Sequence, residues 1–77
     1  MTIKELINEW YYLKQYEKAS YKMYISGQMN IKTYIAIRKD AEKVETELFK
    51  VLQNDYNIKY PYQEIPLDLD YVLSLVS

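Results

Sequence analysis

The side chains of this chain that could do polar chemistry are few. Lys39, Asp40, Glu42 and Glu45 fall within seven consecutive residues, and ten tyrosines are spread along the sequence. Two carboxylates three positions apart share a helix face and could hold a divalent ion. The same spacing is ordinary on the flank of any amphipathic helix. The chain has no His and no Cys. A Ser-His-Asp triad or a histidine general acid–base is therefore impossible, and zinc, haem and iron–sulfur centres lose their usual ligands. The single glycine, Gly27, leaves no glycine-rich loop to cradle a phosphate. We expect a non-enzymatic protein with no catalytic residue, no cofactor and no metal site.

Contact chemistry is better represented. Tyr11, Tyr12, Tyr16, Tyr21 and Tyr24 lie within fourteen residues and point in several directions around a helix, so they cannot all belong to one core. Tyrosine offers a large rigid area with a polar tip and is enriched at interfaces. Tyr11, Tyr12, Tyr16 and Met23 are the candidates for a partner-binding surface, joined by Leu69, Tyr71 and Leu73 near the C-terminus. Codon usage offers a competing explanation. Ile, Lys, Asn and Tyr make up 31 of the 77 residues, as expected of an AT-rich genome such as that of a low-GC bacterium or its phages.

Lysines form two ladders. Lys14, Lys18 and Lys22 recur every four residues, and Lys39 and Lys43 do the same further on. A basic stripe beside aromatics could follow a nucleic-acid backbone. With one Arg, a net charge of -1 and acids flanking both ladders, a solvated surface is the simpler reading, and nucleic acid ranks as a weak alternative. Residues 1–60 carry a charge of +2 and the remainder -3.

These side chains must be positioned by helices. From Ile3, steps of 100° gather Leu6, Ile7, Trp10, Leu13, Tyr21, Tyr24 and Ile25 on one face. Thr2 and Glu5 have the spacing of a capping box, and Gly27 stands where a left-handed residue would end the helix. A first helix is expected over about 2–25 and a turn over 26–30. A second helix is expected over about 30–55, with Asn30 as its cap. Tyr34, Ile37, Ala41, Val44, Leu48 and Val51 form its seam, widened by Ile31, Ile35, Phe49 and Leu52. Arg38 with Glu42, and Lys43 with Glu47, are spaced to pair on its outer side. Pro61 and Pro66 then favour an extended segment. The last stretch fits either a strand or a short helix capped by Asp68. The helix is preferred because a lone strand would have nothing to pair with.

The expected fold class is all-α: an antiparallel two-helix hairpin over 1–56, then an extended Pro-containing segment and a short C-terminal helix over 57–77. Such a hairpin has a small core and no metal or disulfide to reinforce it. The first helix also carries a second apolar face, Tyr12, Tyr16, Ala19 and Met23, nearly opposite the first. A helix apolar on two sides is expected to be sandwiched, so a homodimer forming a helical bundle is the preferred assembly. No run approaches the roughly 20 apolar residues of a membrane span. The N-terminal segment has charge within its apolar stretch and reads as no signal peptide, so a cytoplasmic protein is expected. The functional expectation is a small protein–protein interaction module, a regulator or inhibitor carried by a phage or mobile element. The alternatives are a self-assembling scaffold and a nucleic-acid accessory factor.

Overall fold

The computed structural model describes residues 1–58 and 65–77, and all of the regular structure among them is helical. α1 spans Ile3–Ile25, α2 Ile31–Asp55 and α3 Leu69–Ser74. The extended segment expected around the two prolines lies largely outside the described residues.

Each helix starts on a side-chain cap. The Thr2 hydroxyl accepts from the Glu5 backbone N–H at 3.2 Å, and the Glu5 carboxylate accepts from the Thr2 N–H at 3.1 Å, which completes the capping box. The Asn30 carbonyl oxygen accepts from the Thr33 N–H at 2.8 Å. The Asp68 carboxylate accepts from the Tyr71 N–H at 3.1 Å, which resolves the C-terminal ambiguity in favour of a helix.

The first helix ends as its glycine suggests. Gly27 has φ 82, its N–H donates to the Tyr24 carbonyl, and the Gln28 N–H donates to the Met23 carbonyl at 2.8 Å. Those two bonds satisfy carbonyls that the helix end would otherwise orphan. α2 stops at Asn57, which takes a left-handed φ of 54, a conformation Asn tolerates better than most residues. The Ile58 N–H then closes onto the Leu52 carbonyl at 3.1 Å.

α1 and α2 pack along each other, and α3 packs on α1. The core is not spread evenly along the hairpin. It gathers at the end away from the turn, where Leu6, Ile7 and Trp10 of α1 meet Val44, Leu48, Phe49 and Leu52 of α2. Ile65 and Val72 close this cluster from the tail. The Trp10 and Phe49 rings sit 6.0 Å apart, tilted by 56°. Towards the turn the described residues form only two layers. There Tyr34 and Ala41 are buried, with Tyr34 stacked on Tyr24 at 5.5 Å and touching Tyr21 at 5.7 Å.

This uneven layering corrects the expected apolar faces. Tyr21 and Ile25 of α1, and Ile31 and Ile35 of α2, share azimuths with core residues yet are exposed. Their faces are covered only where the tail reaches.

Candidate functional site

The second apolar face of α1 is built by periodicity alone. Tyr12, Tyr16, Ala19 and Met23 follow one another in steps of four, three and four, so they line one side of the helix. That side points away from the core. Tyr12 is 64% exposed, Tyr16 56% and Met23 41%, and Ala19 is exposed as well. Among the described residues, none buries this face. The expected sandwich is thus half built: the tail adds its layer on the core side of α1, and the outer side stays open. Tyr11 is partly buried against the core and meets the Tyr12 ring edge-on at 5.6 Å, so it buttresses the stripe from within.

Of the tail candidates, Leu69 and Leu73 pack against the core. Tyr71 is on the exposed side of α3, at the opposite end of the molecule from the turn. The structure therefore lines up Tyr12, Tyr16 and Met23 on the outer side of α1, while Leu69 and Leu73 turn into the core.

The polar groups are engaged with one another. The Trp10 Nε1–H donates to a Glu45 carboxylate oxygen at 2.8 Å. The same oxygen lies 3.7 Å from the Lys14 ammonium, which also meets Glu17 at 3.2 Å. Arg38 Nε donates to Glu42 at 2.9 Å, and that contact raises the Arg38 pKa. Glu42 and Glu45 thus serve two different partners. Among the described residues no cluster of three or more acidic side chains is placed to hold a metal ion. The expected Lys43–Glu47 pair does not form. An open groove of about 1070 Å³ runs beside these pairs, lined by Lys14, Glu17, Tyr21, Tyr34, Arg38 and Glu42 among others. Lys14, Lys18, Lys22 and Arg38 line it with Glu17, Glu42 and Glu45, a net charge of +1, too little for a strong preference for an anion. Lys18, Lys22, Lys39 and Lys43 are exposed.

Two features were missed by sequence reading. Glu45 looked like a flank residue, but it holds the indole of the largest core side chain. Ser20 is 1% exposed, and among the described residues its hydroxyl has no hydrogen-bond partner. The signal for Ser20 was its azimuth, about 20° from that of Leu13. No described helix is long and apolar enough to cross a membrane.

Comparison with protein-family models, with curated proteins and with solved structures finds no match to this chain.

Proposed function

We propose that this protein works by contact, as a small protein–protein interaction module that binds a larger bacterial protein. We further propose that it acts in the cytoplasm as a regulator or inhibitor carried by a phage or mobile element. One observation carries the reading: the outer face of α1 presents Tyr12, Tyr16 and Met23 to solvent on a helix anchored on its other side by Leu6, Ile7 and Trp10. Large exposed aromatics on a rigid element are the composition of interface hot spots, and a contiguous apolar patch on a small domain marks an interaction surface. Trp10, Lys14, Glu17 and Glu45 engage one another, as do Arg38 and Glu42, which supports contact over catalysis.

The test is affinity capture from a low-GC bacterial lysate with the wild-type chain and with Tyr12→Ala and Tyr16→Ala, each shown by circular dichroism to be folded. A protein retained by the wild type and lost with both variants is the expected result. Equal retention by all three, or none by any, would overturn the proposal. A nucleic-acid role through Lys14, Lys18 and Lys22 predicts instead a mobility shift that weakens steeply with salt.

A further inference from the structure

We propose that the outer face of α1 is a self-association surface, on which a second copy of the chain lays its own α1 antiparallel. The inference rests on the reading that this face makes contacts; its occupant is a second copy, which the larger partner must displace to bind.

Side-chain volumes favour the antiparallel pairing. Positions 12, 16, 19 and 23 have the alternating spacing of a coiled-coil seam, and the series continues through Glu9 at one end and Ser26 at the other. An antiparallel two-fold pairing about the middle of the stripe sets Tyr16 beside Ala19 of the second copy, and Tyr12 opposite its Met23. The bulky ring thus lies over the smallest residue of the stripe, and the second ring meets a flexible thioether side chain that adapts to it. A parallel pairing would stack Tyr12 on Tyr12, Tyr16 on Tyr16 and Ala19 on Ala19, giving two overfilled layers and one empty one.

Antiparallel packing also aligns the two helix dipoles favourably, whereas parallel packing places like ends together.

The area of the face suits a weak dimer. A tyrosine carries roughly 150–250 Å² of surface, and Tyr12 and Tyr16 are more than half exposed. With Met23, Ala19 and the flanking Glu9, Gln15 and Lys22, the pair would bury about 1,000–1,200 Å² in total, the low end for specific complexes. The dimer is therefore weak and reversible, dissociating on dilution through the micromolar range.

Because the chain has no cysteine, single cysteines report on the pairing cleanly. Glu9→Cys and Ser26→Cys leave the apolar stripe intact. In the antiparallel dimer position 9 of one copy faces position 26 of the other, while the two copies of position 9 are about 25 Å apart along the axis. A short bis-maleimide should link the two variants when mixed and neither variant to itself. Light scattering should give a dimer mass for the wild type that falls to monomer on dilution. Ala19→Glu, at an exposed position, should keep its helicity and weaken the dimer at least tenfold. Self-linking of either variant, absence of the mixed product, a monomer at every concentration, or Ala19→Glu dimerising like the wild type would each overturn the proposal. These readouts need no other protein, so failure here is separable from failure of lysate capture.

Discussion

At the scale of single residues, three side chains make separable predictions. The Ser20 hydroxyl is buried without a partner among the described residues, and a hydroxyl removed from water with no replacement bond is destabilising. Ser20→Ala should raise stability by about 1 kcal/mol, read as a higher urea midpoint with an unchanged slope; a lower midpoint would mean the hydroxyl is satisfied in solution. Glu45 behaves in the opposite way. Replacing it with Ala leaves the Trp10 N–H without its acceptor and should cost about 1–3 kcal/mol, whereas Glu45→Gln keeps an acceptor oxygen and should cost less. Equal losses for both would show that charge, rather than the hydrogen bond, is what matters. Glu5 sets a pH dependence. The backbone N–H of Thr2, then its hydroxyl, hold the Glu5 carboxyl below its ordinary pKa. A depressed folded pKa contributes stability above the unfolded value and loses it as pH falls through the folded one. The first turn of α1 should therefore fray on acidification below the usual carboxylate range, seen as faster amide exchange at residues 3–6. Glu5→Gln should flatten that dependence, and an identical acid response in the variant would exclude Glu5 as its source.

At the scale of elements, the stop after α1 is the most local signal in the chain. Gly27 holds φ 82 with no atom within 4 Å of where a Cβ would stand. Gly27→Ala therefore meets no clash, and its penalty is the left-handed backbone alone, about 1 kcal/mol, measurable by thermal unfolding. A penalty several times larger would point to a contact at the turn. Caps and turns were legible in the sequence for this reason: Thr2, Glu5, Gly27, Asn30 and Asp68 act on backbone groups within four residues of themselves. The extent of each buried face was less legible. Ile7 and Ile25 share an azimuth on α1, as Phe49 and Ile31 do on α2, yet one of each pair is buried and the other exposed. Periodicity gives the direction a side chain points and says nothing of whether a third layer reaches it. Here that layer depends on the path of the tail, a long-range choice that no local spacing encodes. Tyr12, Tyr16 and Met23 were legible as a second face for the same periodic reason, while Leu69 and Leu73 were not recognisable as core because their neighbours come from α1 and α2.

At the scale of the whole molecule, the tail is what makes a hairpin into a domain. α1 and α2 alone would leave one side of Trp10 and Phe49 open, since Ile65 and Val72 close that cluster with Ile58, Leu67, Leu69, Leu73 and Val76 packed around it. Burying each such aliphatic side chain contributes roughly 1.5–3 kcal/mol, comparable in sum with the whole stability of a domain this small. The two helices cannot replace that loss, because among the described residues their turn half has no apolar third layer to extend. A chain ending after Asn57 should therefore keep some helical circular dichroism but lose cooperative unfolding, and its Trp10 emission should shift to the red as the indole meets water. Val72→Asp in the full chain should do the same more mildly, because one buried charge prevents α3 from docking. If the truncated hairpin unfolds cooperatively with blue-shifted emission, the tail is an accessory and the core lies within the hairpin. That outcome would also release α3, with Tyr71, for a partner. The red shift instead would restrict contact surfaces to those the complete fold leaves open, chief among them the outer face of α1.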